Sequence, residues 1–170
     1  MQQTVGPIHF RSIRLFLTAG CAASALLLAP GGSCAAQAAA QRRAAQLAYQ
    51  AEMDRVGRDC PDSVTLTDRN ECLNSVRRET YANFDAFFSA LREILIEDSP
   101  NDANALALDG GETAWEKYRT ASCDAMVRLY DIGSVKNPGS TQPSAQTRCL
   151  IQLTRSRMRD LMELYQPGPD

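Results

Sequence analysis

Residues 70–97 contain neither glycine nor proline, and apolar side chains recur through them at steps of three and four: Val76, Phe84, Phe87, Phe88, Leu91, Ile94 and Leu95, with Thr80 in register. That period puts them on one stripe of a helix, with no breaker to interrupt it. Arg77, Arg78, Glu79, Arg92 and Glu93 fall mainly on the other face. Three phenylalanines within five residues are the heaviest apolar load in the chain, so this helix is expected to carry the core. No stretch of any length shows strand-like alternation.

The remaining segments read as helices around it. Residues 41–58 are rich in alanine, glutamine and charge, with Leu47, Tyr49, Met53 and Val56 as a thin apolar stripe. They predict a helix that stands partly free as a spacer. Cys60-Pro61 begins a turn, and Thr65-Leu66-Thr67-Asp68 offers capping residues for the long helix. Residues 97–102 end that helix. Residues 103–108 suggest a short helical turn, and Asp109-Gly110-Gly111 a loop or weak point. A third helix runs from Glu112 to about Tyr130. Trp115, Tyr118, Ser122, Met126 and Leu129 are expected on its inner face, and Glu112 and Glu116 on a solvated one. Arg119 is expected to tie it to neighbouring acids or carbonyls. Residues 131–146, with Gly133, Pro138, Gly139 and Pro143, read as a long loop, and such loops are functional or disordered. The last helix is expected over 147–165 with Leu150, Leu153, Met158, Leu161, Leu164 and Tyr165 inward. Arg148, Arg155, Arg157 and Arg159 make it basic, as a solvated face balanced by nearby acids. The fold expected is all-α: a small bundle of about four mostly antiparallel helices, with Trp115, Tyr118, Phe84, Phe88 and Leu153 in its core.

The first 40 residues differ from the rest. They hold Arg11 and Arg14, no acidic residue, an apolar run from Leu15 to about Ala29, and then small residues. This is the pattern of a secretory signal peptide, with cleavage expected after Ala38 or Ala40. Neither Cys21 nor Cys34 has an aliphatic residue three positions before it, so membrane attachment through a lipid on Cys34 is not expected. Removing residues 1–40 from a chain of 18 Lys+Arg and 20 Asp+Glu leaves 16 basic and 20 acidic side chains, a net charge of −4. That balance argues against a nucleic-acid partner and suits a basic protein. The lone histidine, His9, lies in the signal segment. The exported chain then has no means to build a Ser-His-Asp or Cys-His centre, and no cofactor is expected. The organisation expected is signal peptide 1–40, helical extension 41–58, helical domain 59–166 and tail 167–170.

Cys60, Cys72, Cys123 and Cys149 remain after export, an even count that reads as two disulfides. Gaps of 11, 50 and 25 residues between them do not suit zinc, and no metal site is expected. If the third and fourth helices pack antiparallel, Cys123 and Cys149 come close and the long loop bulges from their junction. Cys60 and Cys72 then pin the entry to the longest helix. The pairing expected is Cys60–Cys72 and Cys123–Cys149.

Ala114-Trp115-Glu116-Lys117-Tyr118-Arg119-Thr120-Ala121-Ser122-Cys123 fits an A-W-x-x-[YF]-R-x-x-x-C segment. Gly133-Ser134 fits a Gly-Ser loop, and Cys149-Leu150-Ile151-Gln152-Leu153-Thr154-Arg155-Ser156-Arg157 fits C-L-x-x-L-T-x-x-R. Cys72-Leu73-Asn74 supplies an upstream cysteine opening a helix. With these motifs the region from Cys60 to Leu164 resembles the lysozyme inhibitor LprI-like N-terminal domain family of small exported helical domains. It departs where the family carries L-N-x-x-Y: here Phe84-Asp85-Ala86-Phe87-Phe88 keeps aromatic bulk but loses the amide and the phenol. The segment 97–111 is also longer than usual.

The resemblance implies an exported binding protein of the bacterial envelope, not an enzyme. Its partner would be a protein, a basic lysozyme-type muramidase whose cleft it blocks. The loop carrying Asp131, Gly133, Ser134, Lys136 and Asn137 is the expected contact, with Asp98, Asp102 and Asp109 steering the approach. The alternative is an envelope interaction or assembly module with no enzyme target.

Overall fold

Thr65 starts the longest helix, as its side chain predicts. Its hydroxyl accepts the Asp68 amide at 3.2 Å and donates to the Asp68 carboxylate at 2.7 Å. This satisfies one of the amide groups that a helix start leaves without a partner. The computed structural model describes residues 32–60, 65–98, 101–133 and 142–165, and the side chains of 35–60, 65–98, 101–128 and 144–165. The helices are α1 (Gly32–Met53), α2 (Leu66–Asp98), α3 (Ala103–Gly133) and α4 (Gln142–Tyr165). No strand occurs among the described residues.

Contacts between helices give the directions. Glu52 of α1 meets Thr80 and Asn83 of α2, while Tyr49 meets Phe87, so α1 and α2 run antiparallel. Phe84 meets Trp115, and Arg92 meets Asp109, so α2 and α3 do the same. Glu112 pairs with Arg157, Arg119 with Thr154, and Cys123 with Cys149, which runs α4 antiparallel to α3. The result is an up-down-up-down bundle in which α2 packs against all three other helices.

The inner stripe of α2 is Leu73, Val76, Thr80, Phe84, Phe87, Ala90, Leu91, Ile94 and Leu95. Its larger part joins Ala45, Ala105, Leu108, Met158 and Leu161 in the main core. Leu73, Val76 and Ile151 form a smaller cluster, against which the Cys60–Cys72 bridge packs. Both disulfides join the expected partners, with Cα separations of 5.8 Å and 5.6 Å. Each stabilises by about 2–4 kcal/mol, chiefly by restricting the unfolded chain.

Several expectations are corrected. The segment 41–58 is no spacer: its helix begins at Gly32, ends at Met53 and packs on α2. Its stripe is thin because Ala45 and Ala48 allow close approach, and the bulk comes from Phe87 opposite. The Asp109-Gly110-Gly111 break does not occur, and α3 runs through it. Buried Ala105 and Leu108 hold the turns before the glycines, and Glu112 holds the turn after them. Both ends of the stretch 131–146, expected as loop, are helical: α3 reaches Gly133 and α4 starts at Gln142. Pro143 falls in the first turn of α4, where no amide is needed.

Tyr118 is 59% exposed, against the expected core position. The buried face of α3 is set by Ala105, Leu108, Glu112 and Cys123, and Tyr118 lies about 120° from it at 100° per residue. Trp115 is half-buried, as are Phe88 and Leu153, while Phe84 is buried. Met126, Leu164 and Tyr165 are exposed instead of inward, the last two at the end of α4 beyond the last core contacts. Leu129 lies outside the described side chains.

Gly110 lies inside α3, and a Cβ there would meet nothing within 4 Å. Gly110→Ala is expected to raise stability by about 0.5–1 kcal/mol, because alanine loses less backbone freedom on folding. Gly57, in the turn after α1, has φ +83°. Gly57→Ala is expected to lower stability by about 1–2 kcal/mol. Urea unfolding of the two variants beside the wild type measures both.

Candidate functional site

Glu52 sits on the apolar stripe of α1 with no solvent exposure. An isolated buried carboxylate costs several kcal/mol. Here both oxygens are bonded. Oε1 accepts from Thr80 Oγ1 at 2.7 Å and from Arg155 Nε at 2.6 Å, and Oε2 accepts from Asn83 Nδ2 at 2.8 Å. Arg155, 6% exposed, turns its other two nitrogens to Asp59 in a two-pronged contact at 2.6 Å and 2.9 Å. Burial pulls the Arg155 guanidinium down, but the hydrogen bonds to Asp59 and Glu52 outweigh it and hold it above its ordinary value. One side chain of α4 therefore ties together α1, α2 through Glu52, and the segment that follows α1.

Beside this network a cleft of about 380 Å³ opens between α4 and the turn after α1. Asp59, Arg155 and Gln152 line it together with Arg148 and Arg159.

A second cluster lies between α2, α3 and α4. The Arg119 guanidinium is 4.7 Å from the centre of the Tyr81 ring and 4.7 Å from that of Trp115. It donates to Thr154 Oγ1 at 3.1 Å. Arg157 lies over the same indole at 5.8 Å and donates through Nε to Glu112 Oε2 at 3.2 Å. Phe84 stacks on the indole from the α2 side, with ring centres 5.8 Å apart. The single tryptophan thus joins the core to two cations. Arg119, expected to meet acids or carbonyls, bonds a hydroxyl and lies over two rings, with Asp85 and Glu112 near enough to feel its charge. Glu112 was expected on a solvated face and is buried against Arg157, because it falls on the same stripe of α3 as Leu108 and Cys123.

Burial raises the Glu112 carboxyl above its ordinary value, opposed by the Arg157 hydrogen bond and charge. Asp85 is raised too, first by burial and then by Glu116, with Arg119 opposing. Among the described residues no cluster of His, Cys, Asp and Glu is arranged to hold a metal ion. No helix of the described residues is long and apolar enough to cross a membrane.

The expected contact loop is placed only at its edges. Asp131 and Gly133 belong to the last turn of α3, while Ser134, Lys136 and Asn137 lie outside the described residues. The two helix ends that flank the loop are held by Cys123–Cys149 and by Gln146, which donates to Asp124 at 2.7 Å. Asp98 and Asp102 are exposed, but Asp109 is bound through both oxygens to Arg92. That leaves Asp109 a poor steering group.

Sequence reasoning missed Glu52, Asp59 and Arg155 as a unit. A signal was present: Glu52 follows Ala45, Ala48 and Tyr49 at helical spacing, and Arg155 lies between Ile151 and Met158. A charge on an apolar stripe implies a buried partner.

Removing one member of the buried pair leaves the other charge uncompensated. Arg155→Leu is expected to lower stability by about 3–5 kcal/mol, and Glu52→Leu by a similar amount. The double variant Glu52→Leu/Arg155→Leu is expected to lose less than the sum, as denaturant unfolding of all three would show. For Glu112 the sign follows from its raised value. The folded chain binds that proton more tightly, so the stabilisation is full below the unfolded value of 4.5 and is lost as pH rises through the raised one. As pH rises from below 4.5 the wild type is therefore expected to lose stability relative to Glu112→Gln, measured by urea unfolding at each pH.

The family model described as lysozyme inhibitor LprI matches residues 33–161. That span includes α1 from its second residue, both disulfides, the Trp115 cluster and the Glu52–Arg155 network. No curated protein and no solved structure matches the chain. A match over three-quarters of the sequence, on a bundle whose motif cysteines are paired, shows that the chain belongs to the lysozyme inhibitor LprI family.

Proposed function

We propose that this chain is an exported protein of the bacterial envelope that binds a basic lysozyme-type muramidase and blocks its cleft. The observation that carries the reading is the family match across residues 33–161. Other features support it. The signal-like first 40 residues fit export, where disulfides persist. The net charge of the remaining chain favours encounter with a basic enzyme. The contact surface is the segment joining α3 to α4, with Asp131, Gly133, Ser134, Lys136 and Asn137. Its two flanking helices are cross-linked by Cys123–Cys149. A segment whose anchors are fixed loses less entropy when it docks, which leaves more of the contact energy for affinity. Asp98 and Asp102 add attraction from the junction of α2 and α3.

In a bacterial lysis assay, purified protein in molar excess is expected to slow a basic lysozyme at low salt, and less strongly at physiological salt, because part of the encounter is electrostatic. Ser134→Ala with Asn137→Ala, which leaves the charge unaltered, is expected to weaken inhibition at least about tenfold with an unchanged unfolding midpoint, the scale of one lost contact of about 1.4 kcal/mol. Full lysis at excess protein in both salts removes the reading.

A further inference from the structure

Four arginines lie along α4, and they divide into two kinds. Arg155 and Arg157 are paired, with Glu52 and Asp59 and with Glu112. Arg148 and Arg159 are exposed and form no ion pair among the described residues. Those two are the ones that line the cleft beside Arg155. At positions 148, 152, 155 and 159 the spacing is four, three and four, so Arg148, Gln152, Arg155 and Arg159 share one face of the helix. Arg148 and Arg159 are about 16 Å apart along the axis and stand at the two ends of that face.

Apart from Asp59 and Gly57, the rest of the lining is apolar. Leu73 and Ile151 close the floor, Cys60 contributes its bridged sulfur, and Val56 stands 47% exposed on the wall. Among the described residues the one carboxylate lining the cleft, Asp59, has both oxygens bonded to Arg155. It neither neutralises the two outer guanidiniums nor offers a free acceptor to a cation. The volume of about 380 Å³ suits a group of one or two residues' size.

We propose that this cleft is a binding site for a small carboxylate carrying an apolar side chain, as a peptide terminus does. Arg148 or Arg159 takes the carboxylate by a charge-assisted, two-pronged hydrogen bond, and Val56 and the floor take the apolar part. Gln152 lies between the two cations and supplies an amide for a neighbouring peptide group. The site uses none of the residues placed in the lysozyme contact, so it stands whether or not lysozyme is inhibited.

The test is titration of the full chain, with both disulfides formed, by calorimetry and by amide chemical shifts in low-salt buffer. The probes are N-acetyl-leucine, N-acetyl-leucinamide and inorganic phosphate. Saturable binding of N-acetyl-leucine is expected, with shifts confined to the turn after α1 and to α4. The amide and phosphate are each expected to bind at least tenfold more weakly. Arg148→Gln with Arg159→Gln is expected to cost at least about tenfold in affinity with an unchanged unfolding midpoint, since neither side chain forms an ion pair among the described residues. Absence of saturable binding, equal affinity for acid and amide, or undiminished binding by the double variant overturns the proposal. Phosphate binding as tight as N-acetyl-leucine overturns it too, because the apolar wall then has no part.

Discussion

A carboxylate with no solvent exposure and a guanidinium almost as deeply buried meet at 2.6 Å in the centre of this bundle. Two such charges are tolerable only together, and only with their remaining polar atoms bonded. The structure meets both conditions by drawing on four separate places: α1 for Glu52, α2 for Thr80 and Asn83, α4 for Arg155, and the segment after α1 for Asp59. Apolar side chains tolerate small shifts in register. A network of this kind does not, since a slip by one residue on any helix strands a charge in the core. The pair therefore fixes how α1 and α4 sit on α2, and with them the shape of the cleft beside Asp59.

The Trp115 cluster sets the other half of the bundle by softer means. Its indole is flanked by Phe84 on one side and by two guanidiniums, and Arg119 is held between two rings. Attraction between a cation and a ring depends weakly on angle, so this layer adapts where the buried ion pair cannot. Glu112 closes the layer by holding Arg157, at the expense of leaving its Oε1 without a partner among the described atoms. The two disulfides then act at the ends, each closing a loop that the packed helices alone would hold less firmly.

This division of labour bears on function. Within the motif segments, Trp115, Arg119, Cys123, Cys149, Thr154, Arg155 and Arg157 hold helices together, while Tyr118 stands exposed. The partner surfaces proposed above, the segment between α3 and α4 and the cleft with Arg148 and Arg159, use other residues, and those two arginines form no ion pair among the described residues. Binding proteins commonly separate a rigid scaffold from the loops it presents, because a contact surface held in one geometry pays less to dock.

Much of this was legible from the residues alone. The breaker-free run with its three- and four-step stripe determined that α2 is a helix and which face it buries, since the helical period leaves one solution for that pattern. The cysteine count and spacing determined the bridges, since a short turn and an antiparallel helix pair each leave one near partner. The tertiary structure alone decided the rest. A thin stripe cannot say whether a helix is free or packed, because Ala45 and Ala48 become useful only when Phe87 stands opposite. Glycines at 110 and 111 weaken a helix locally, yet buried Ala105, Leu108 and Glu112 on either side supply more than they remove. Tyr118 reads as core beside Trp115, but the face of α3 is set by what α4 offers it, and α4 offers Arg157 and Cys149. Above all, a carboxylate at position 52 and a guanidinium at 155 are surface residues by composition. Only the fold brings these two, 103 residues apart in sequence, into one dry place where each needs the other.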